Sequence, residues 1–327
     1  MAYSAQIVRR ARQILEQKKS DKESQYRQNL QTAYLQLPRL KEIDLLLRRS
    51  MTQAAQAVFT QGGDARAAME QVKKENLTLQ NERQALIDAN FAPGFLDESP
   101  VCDRCGGSGY MGSAMCGCLM QLCRIEQRKE LANLTTGAET FEAFRLDYYP
   151  DQVSNAYGAS PRKIMERNLQ ICRRYAQSFV PGIGNLLFVG GTGLGKTFLS
   201  ACIANAVTDK GYSVAYESAP RLFAKLEKNR FNPDEESREA AERFAACDLL
   251  IIDDLGTEMP GNFVTAAFYS LLNDRLLEGK SMIISTNLNV DEIAVRYSPQ
   301  IASRLQGSFK GLTFVGQDIR VLKNRGV

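Results

Sequence analysis

The stretch that most constrains the fold of this chain is residues 190–197, which read G-G-T-G-L-G-K-T. A short apolar run at residues 186–189 precedes it, and residues 198–204 follow with apolar side chains at helical spacing. A strand, a glycine loop and a helix in this order are the setting in which a G-x-x-x-x-G-K-T sequence binds phosphate groups. The alternative is a glycine-rich turn with a lysine present by chance. The order of elements favours a nucleotide site in an α/β fold.

Each part of this loop predicts a different contact with a nucleotide. Glycines allow the backbone to approach an anion closely, and the start of the following helix directs N–H groups at it. Lys196 would reach the β- and γ-phosphates, and the Thr197 hydroxyl would bind Mg²⁺. The predicted contacts to ATP are Gly191, Thr192, Gly193, Leu194, Gly195, Lys196, Thr197 and Phe198.

The composition excludes several classes of protein. The 327 residues are 44% hydrophobic and 24% charged, as in soluble globular proteins of about two domains. There is no histidine, which excludes a histidine base or zinc ligand, and the net charge of +4 permits contact with nucleic acid without requiring it. No apolar run reaches the ~20 residues of a membrane span, and the first ten residues lack the apolar region of a signal peptide. We therefore expect a cytoplasmic protein without membrane contact.

Residues 1–100 are predicted to form a helical, partner-binding region. Apolar side chains recur at helical spacing in four segments. The polar run at residues 18–24 interrupts or exposes the first segment, and Pro38 and the pair Gly62 and Gly63 end the second and third. A plain helical bundle is the alternative, and the sequence leaves both interpretations open.

Four cysteines predict a zinc knuckle within residues 101–123. Cys102 and Cys105 form a C-x-x-C pair, and Cys116 and Cys118 form a C-x-C pair ten residues later. A C-x-x-C turn brings two thiolates to neighbouring corners of a tetrahedral zinc site, and four protein ligands leave no open position, so the site would be structural. An iron–sulfur cluster and free or redox-active cysteines are the alternatives. Cys123 is predicted to lie outside the site, on the first turn of the following helix.

Residues 124–160 are predicted to connect this knuckle to an ATPase domain at residues 161–327. The connector contains a charged helix and then an aromatic cluster, F-E-A-F-R-L-D-Y-Y-P, at residues 141–150. These rings would pack on the ATPase domain or lie near the base of the nucleotide, and stacking on a nucleic-acid base is an alternative. Ser160 as a cap and Pro161 as the first helical residue predict where the next helix begins.

Polar side chains end two further predicted strands. Residues 247–254 read C-D-L-L-I-I-D-D, and residues 281–287 read S-M-I-I-S-T-N. Such apolar runs are typical of central strands, whose carboxyl ends meet where ligands bind an α/β sheet. Asp253 would hold Mg²⁺ through water, Asp254 would orient or deprotonate the attacking water, and Asn287 would position it. A helix-capping Asp pair and a turn asparagine are the alternatives. Residues 212–216 and 312–315 predict two more strands.

Two arginines near the C-terminus are predicted to contact the phosphates. Arg304 lies in I-A-S-R-L, on a short helix and opposite its apolar positions. A guanidinium from a neighbouring subunit would stabilise charge on the transferred phosphoryl group, which implies self-association through the ATP site. Arg320, in G-Q-D-I-R, could approach the phosphates within the same subunit. The alternative is that Arg304 is an ordinary surface charge.

Taken together, G-G-T-G-L-G-K-T, L-L-I-I-D-D-L-G-T-E, I-I-S-T-N-L, I-A-S-R-L and G-Q-D-I-R resemble the AAA+ ATPases of the DnaC/DnaI-type bacterial helicase loaders, within the IstB-like superfamily. The resemblance covers residues 140–327, and the cysteine segment resembles the zinc knuckle of loaders from Gram-positive bacteria. It implies an α/β, AAA+ P-loop NTPase fold with a five-stranded parallel sheet and no lid domain. An all-α N-terminal region and a small zinc-binding knuckle would precede this domain.

The resemblance also implies a role for each site residue. Gln300 stands where some loaders carry a second arginine, which weakens the expectation of activation by a neighbouring subunit. The corresponding positions are Lys196 and Thr197 in Walker A, Asp253 and Asp254 in Walker B, Asn287 in sensor 1, Arg304 as the arginine finger and, resembling sensor 2, Arg320.

The function implied is ATP-dependent loading of the replicative hexameric DNA helicase during the initiation of DNA replication. The N-terminal region would bind the helicase, and weak ATP hydrolysis would be stimulated by single-stranded DNA or by the partner. ATP, Mg²⁺ and Zn²⁺ are the expected cofactors. The alternatives are an IstB-like transposition ATPase that binds target DNA and an adaptor that uses ATP binding only as a switch. A P-loop small-molecule kinase is disfavoured because no lid or set of substrate-binding arginines is evident.

Overall fold

The structure, a computed structural model, describes residues 3–60, 65–132, 139–154 and 158–324. The chain divides into two compact units. One unit comprises Gln13–Cys116, and the other comprises Met1–Arg12 together with Gly117–Val327. The predicted break at Gly62 and Gly63 lies outside the described residues. In the described part of the chain, no helix is long and apolar enough to cross a membrane.

The N-terminal region is helical, as predicted. Its helices are α1 (Ala5–Gln36), α2 (Pro38–Thr60) and α3 (Ala65–Asn90). Helix α1 continues through the polar run at residues 18–24, whose side chains are mostly exposed, so this run does not interrupt it. Pro38 is the first residue of α2, a position where the missing N–H has no helical partner to lose.

Both apolar and polar contacts hold the helices of the unit Gln13–Cys116 together. Leu40 and Ile87 are buried in a cluster with neighbouring aromatic rings. The Asp44 carboxylate accepts hydrogen bonds from Arg83 Nε and from the Tyr34 hydroxyl, both at 2.7 Å. A short antiparallel hairpin of β1 (Tyr110–Met111) and β2 (Ala114–Met115) follows.

The other unit contains the predicted five-stranded parallel sheet. Its strands are β3 (Asn185–Val189), β4 (Val214–Ser218), β5 (Leu249–Leu255), β6 (Ser281–Thr286) and β7 (Phe309–Thr313). Their order is β4-β5-β6-β3-β7, and every neighbouring pair is parallel. β3, the first of these five strands in the chain, therefore lies between the last two, β6 and β7. All carboxyl ends meet at one edge, where ligands bind such sheets.

Helices cover both faces of this sheet. The two faces bury separate apolar clusters because alternate residues of a strand point to opposite sides. Ile251 and Ile283 belong to one cluster, whereas Ile252 and Ile284 belong to the other. The helices are α4 (Gly117–Ala132), α5 (Pro161–Gln177), α6 (Lys196–Asp209), α7 (Ala219–Phe231), α8 (Glu235–Ala246), α9 (Asn262–Leu277), α10 (Val290–Arg296), α11 (Pro299–Ser308) and α12 (Ile319–Asn324).

The last strand begins earlier than the apolar run at residues 312–315 predicts. β7 already pairs with β3 at Phe309, and its exposed residues Lys310 and Gly311 give no apolar signal. Beyond the strand, the Phe314 N–H donates to the Val189 carbonyl at 2.7 Å. An edge strand has one neighbour and partly exposed faces, so its sequence pattern is weak.

A buried arginine joins α8, α9 and β6. Arg275 is 1% exposed and has no carboxylate partner among the described residues. Its guanidinium donates to the carbonyls of Phe244 at 2.8 Å, Cys247 at 3.1 Å and Ser281 at 2.7 Å. These carbonyls lie at the end of α8 and the start of β6, where helical or sheet partners are missing. A positive charge also suits the negative end of a helix.

Candidate functional site

The glycine loop between β3 and α6 is closely packed. Gly193 has a φ of 70° and Gly195 a φ of 90°, conformations that favour glycine. A Cβ on Gly193 would lie 1.9 Å from Asp318 Oδ1, and one on Gly195 would lie 3.0 Å from the Tyr149 hydroxyl. The Tyr149 hydroxyl also donates to the Leu194 carbonyl at 2.9 Å. The loop conformation therefore requires glycine at these positions. Tyr149, which precedes the loop in the chain, and Asp318, which follows it, both pack against the loop.

Lys196 is the first residue of α6 and connects this loop to β6. Its Nζ donates to the carbonyls of Gly190 and Gly191 and to Asn287 Oδ1, each at 2.6 Å. Burial lowers the pKa of Lys196, whereas the charges of Asp254 and Asp253 act in the opposite direction. The structure thus brings the predicted lysine, asparagine and carboxylates to one place.

Two carboxylates end β5, and they differ in exposure. Asp253 is 8% exposed, whereas Asp254 is more accessible and lines the cavity beside the glycine loop. Asp254 has a φ of 55°, a left-handed conformation that aspartate tolerates better than most residues. The pairing of β5 with β6 shifts register between Ile252 and Leu255, so this irregularity turns the Asp254 side chain away from the regular strand pattern.

The Asp253 carboxylate is held by hydroxyl groups from both neighbouring strands. The Tyr216 hydroxyl on β4 donates to Asp253 Oδ2 at 3.0 Å, and the Ser285 hydroxyl on β6 donates to Oδ1. Ser285 Oγ also accepts the Asp254 N–H at 2.9 Å. Burial, and then the charge of Asp253, raise the pKa of Tyr216 well above its usual value, so the tyrosine remains a donor. Ser285 therefore positions both acidic residues.

The surroundings of Asp254 raise the pKa of its carboxyl group. Burial, and then the negative charge of Asp253, raise the pKa of Asp254 above its usual value, while Lys196 and Arg320 act in the opposite direction. A carboxylate with a raised pKa is a stronger base. Asp254 is thus suited to accept a proton from water, and Asp253, fixed between two hydroxyls, is suited to hold a cation.

A cavity of about 460 Å³ extends from these residues to the connector. Phe144 and Tyr148 line it, and the Phe144 ring contacts the rings of Tyr149 and Phe198, both at 5.8 Å between centroids. The cavity volume is that of a typical small-molecule site. Its predicted site residues are Thr192, Gly193, Leu194, Gly195, Lys196, Thr197, Phe198, Asp254, Asn287 and Arg320.

Three residues predicted for the nucleotide site do not line this cavity. Gly191 contributes a carbonyl to Lys196, and Asp253 lies behind Asp254. Arg304 lies on α11 and contacts Tyr269 of α9. Its guanidinium donates to the Tyr269 hydroxyl at 3.1 Å, and its Cζ lies 5.1 Å from the ring centroid. An arginine with hydrogen-bond and cation–π contacts is more ordered than a free surface side chain.

Mg²⁺ would find oxygen ligands in this site. Thr197 presents an exposed hydroxyl in the cavity, and each Asp253 oxygen retains an acceptor site beyond the hydrogen bond it already accepts. Hydroxyl and carboxylate oxygens are the ligands that Mg²⁺ prefers, with water completing its shell. The residues present therefore fit the predicted ion.

The cysteine segment forms a compact group of sulfurs. The Sγ atoms of Cys102, Cys105, Cys116 and Cys118 lie within 4.8 Å of one another, and Cys102 Sγ is 3.8 Å from Cys116 Sγ. A tetrahedral ion with Zn–S bonds of ~2.3 Å separates its sulfurs by ~3.8 Å. The Gly109 N–H donates to Cys105 Sγ at 3.3 Å, as expected around thiolate ligands. The group fits a single zinc ion.

Cys123 has different surroundings. It lies in α4 and is not part of the four-cysteine group found in the described residues. Burial, and then the charge of Glu126, raise the pKa of Cys123 to about 11. Such a thiol stays protonated and is a poor metal ligand.

The sequence did not indicate which groups support the acidic residues. Tyr216 and Ser285 are polar residues in the buried strands V-A-Y-E-S and S-M-I-I-S-T. A polar residue in an otherwise apolar strand is the sequence signal that points to them. Neither motif says that the two hydroxyls flank one carboxylate, because their positions depend on strand order. The sequence also does not indicate the contact of Asp318 with Gly193, because the two residues meet only in the folded chain.

Replacing Tyr216 by phenylalanine is expected to weaken metal binding. Removing one hydroxyl from a carboxylate costs about 1.5 kcal/mol, so the Mg²⁺ concentration for half-maximal ATP turnover should rise about 10-fold. Mn²⁺ binding with ATP present, followed by electron paramagnetic resonance, should weaken in parallel. Tyr212→Phe is the control because the Tyr212 ring packs on Phe179. Unchanged metal dependence in Tyr216→Phe would contradict this role.

Metal analysis is expected to find one zinc ion per chain in protein purified anaerobically. Cys102→Ser should lower this content to well below one because serine does not replace a thiolate ligand. Cys123→Ala, the matched control, should retain one zinc ion because Cys123 lies outside the group. Iron in place of zinc, or no metal, would show this assignment to be wrong.

The part of the chain that contains this site is similar to known proteins. Residues 151–301 match the family model described as IstB-like ATP binding protein. The chain is 22% identical over 138 residues to the replicative helicase loader DnaC of Escherichia coli (strain K12), which covers 42% of this chain and 56% of DnaC. It is 26% identical over 191 residues to the chromosomal replication initiator protein DnaA of Aliarcobacter butzleri (strain RM4018), which covers 58% of this chain and 41% of DnaA. A crystal structure of the DnaC helicase loader aligns with a TM-score of 0.46 at 21% identity, covering 57% of this chain and 99% of that one.

The family model and the sequence similarity to DnaC confirm the resemblance for the ATP-binding domain. The predicted motifs Walker A and Walker B both lie inside residues 151–301. The aligned region is little more than half the length of DnaC and less than half the length of DnaA. The similarity therefore concerns the ATP-binding domain and not the whole chain.

Proposed function

We propose, on the premise that residues 151–301 form an IstB-like ATP-binding domain, that this chain is an Mg²⁺-dependent ATPase that loads a hexameric replicative helicase onto DNA. The observation that carries the ATPase part is one cavity that brings Lys196, Thr197, Asp254 and Asn287 together, with Asp253 fixed behind them. These residues supply the parts that phosphoryl transfer to water requires.

Each residue has a distinct task in this mechanism. Lys196 binds the β- and γ-phosphates, which compete for its ammonium with the three oxygens that it contacts. Thr197 and Asp253 would hold Mg²⁺, which would supply positive charge to neutralise the transferred phosphoryl group. Asp254 accepts a proton from the attacking water, and Asn287 orients that water. Phe144 and Tyr148 shield the far end of the cavity, where the base would lie.

Hydrolysis is completed by a second copy of the chain. Arg304 does not line the cavity of its own subunit, and Tyr269 holds its guanidinium on the protein surface. In an ATP-dependent assembly this guanidinium enters the site of the neighbour and stabilises the transferred phosphoryl group. We therefore expect the rate of ATP turnover per chain to rise with protein concentration.

The proposed role in replication is supported by similarity to DnaC, whose name describes a replicative helicase loader. On this proposal the helical region before the zinc knuckle binds the helicase, single-stranded DNA stimulates ATP turnover, and the protein acts in the cytoplasm. An IstB-like transposition ATPase is the alternative, because the matching family model is described as IstB-like ATP binding protein.

A loading assay tests this role. The replicative helicase of the host is mixed with closed circular single-stranded DNA and ATP, with or without the full chain, and DNA-bound helicase is measured after gel filtration. The chain should increase retention of the helicase at least several-fold, and Lys196→Ala should not. Equal retention without the chain, together with capture of a transposase from host extract, would favour the transposition alternative.

A further inference from the structure

Helix α5 presents a strip of positive charge that the ATP site does not use. Ser160 caps the helix by accepting the Lys163 N–H at 3.3 Å, and Pro161 is its first residue. The apolar face, including Met165 and Cys172, is buried against the sheet. The opposite face is exposed and bears Lys163, Arg167 and Arg174, with Gln170 between them.

The three cations are aligned along the helix. At ~100° per residue they lie within about 40° of one another around the axis. At ~1.5 Å per residue they are separated by about 6 Å and about 10 Å along it. Gln170, an amide donor, fills the longer interval on the same side. The result is a nearly straight row of hydrogen-bond donors.

Arg162 and Arg173, the other cations of α5, are each paired with a carboxylate, whereas the cations of the row are not. Arg162 pairs with Asp151 at 3.7 Å, and Arg173 pairs with Glu142 at 3.4 Å. Glu166, the acidic residue of α5, lies about one helical turn from both Arg162 and Lys163. Among the described residues, the side chains of the row form no ion pair.

Arg174, the last cation of the row, also lines a groove. This groove lies at the amino ends of the strands, whereas the glycine loop lies at their carboxyl ends. A cavity of about 370 Å³ is lined there by Arg174, Lys310, Ser178, Asn185 and Ser308. Asn185 begins β3, whereas the glycine loop follows the other end of that strand. Lys310, exposed on the edge strand β7, likewise has no ion pair in the described part of the chain.

We propose that the α5 strip, defined as Lys163, Arg167, Arg174 and Lys310, binds the phosphate backbone of nucleic acid. Phosphates recur along a strand at a spacing comparable to these intervals, and unpaired lysines and arginines gain affinity by releasing counterions. The apolar residues of α5 face inward, so the strip lacks the exposed apolar face that a membrane surface requires. It offers no exposed aromatic ring for stacking, so binding is independent of sequence and occurs with single strands and duplexes alike.

This inference rests on the proposed function, because it identifies where the loaded DNA contacts the ATPase unit. It also separates nucleic-acid contact from the nucleotide cavity, which lies at the other edge of the sheet. A variant of the strip should therefore retain basal ATP turnover.

The test measures binding of the full chain, with ATP, to a labelled 30-nucleotide oligothymidylate and to a 30-base-pair duplex over a range of salt concentrations. The strip variant is Lys163→Ala/Arg167→Ala/Arg174→Ala. The control is Arg9→Ala/Arg128→Ala/Lys129→Ala, which also removes three positive charges. In the control, each cation is already paired: Arg9 with Glu235, Arg128 with Asp209 and Lys129 with Glu126.

The strip variant should bind the oligonucleotide at least ~10-fold more weakly, and the slope of log K against log salt should fall by ~2 for single strands and ~3 for the duplex. The control should keep the wild-type slope. A strip variant with the wild-type slope would overturn the inference while leaving the proposed function standing. Binding to polyglutamate is measured in the same way. If the strip variant lost binding to polyglutamate but bound nucleic acid like the wild type, the inference would be overturned in favour of an acidic protein partner. If the wild-type chain bound neither the oligothymidylate nor the duplex, both this inference and the proposed loading of a helicase onto DNA would be overturned.

Discussion

Lys196→Ala is expected to reduce ATP turnover at least ~100-fold, because the loss of one charge aimed at the transferred group costs about 3 kcal/mol or more. Lys196 is 4% exposed, and its ammonium contacts three oxygens of the glycine loop and of Asn287. Alanine cannot bind the phosphates in place of those contacts. The affinity for a fluorescent ATP analogue should fall with turnover. Phosphate release and fluorescence titration measure the two effects.

Lys210→Ala is the matched control for this variant. Lys210 lies just beyond the other end of α6 and donates to the Gln177 carbonyl, far along the helix from the loop. Turnover and ATP affinity should remain at wild-type values in this control. The thermal shift induced by ATP, which reports binding directly, should persist in the control and vanish in Lys196→Ala. Wild-type turnover in Lys196→Ala would contradict the assigned role of this lysine.

Arg275→Met is expected to destabilise the ATPase unit by about 3 kcal/mol, because buried carbonyls that lose a charged donor cost ~1–3 kcal/mol each. The carbonyls of Phe244, Cys247 and Ser281 would all lose this donor. Removing the buried charge offsets part of the loss, which limits the expected total. For a unit of roughly 200 residues the melting temperature should fall by about 6–12 °C. Differential scanning calorimetry measures this change.

Two variants define the range of this effect. Arg221→Met removes an exposed arginine from α7 and should change the free energy of unfolding by less than ~0.5 kcal/mol. Arg275→Lys keeps the charge but offers a single ammonium, so it should retain only some of the carbonyl contacts and give an intermediate value. A melting temperature for Arg275→Met equal to that of Arg221→Met would show that the buried guanidinium is not needed for stability.

The sheet could be predicted largely from local sequence. β5 and β6 are buried on both faces, so their runs of apolar residues carry a strong signal, and the polar residues that follow them mark the carboxyl ends. The glycine loop fixes the strand and helix on either side of it. The apolar run at residues 312–315 predicts β7 too late in the chain, because Lys310 and Gly311 are exposed on an edge strand and do not resemble residues of a buried strand.

A site residue can be predicted where a single sequence motif identifies both the residue and its chemical role. Lys196, Thr197, Asp253 and Asp254 are of this kind. The Tyr216 and Ser285 contacts to Asp253 were not, because they depend on which strands become neighbours in the sheet. The left-handed backbone of Asp254 follows from the register shift between β5 and β6, which no local pattern indicates.

The sequence predicts only part of what the connector contributes. Its aromatic cluster predicts rings that pack on the ATPase domain or lie near the base, and the structure places Phe144 and Tyr149 against the glycine loop. The sequence could not indicate that the first twelve residues belong to the same unit as the sheet. There the Tyr3 hydroxyl donates to the Gly211 carbonyl at 3.0 Å, a contact between residues far apart in the chain.

The central claim is that this chain hydrolyses ATP with Asp254 as the base, and one comparison tests it most directly. Phosphate release and ATP binding are measured for the wild type and for Asp254→Asn, with Mg²⁺ and single-stranded DNA present. Asparagine keeps the shape of aspartate and tolerates its left-handed backbone, so the variant should fold and bind ATP. We predict turnover in the wild type and a loss of at least ~100-fold in Asp254→Asn, with ATP affinity within a few-fold of the wild type. A wild type that binds ATP without releasing phosphate, or an Asp254→Asn variant with wild-type turnover, would contradict this account.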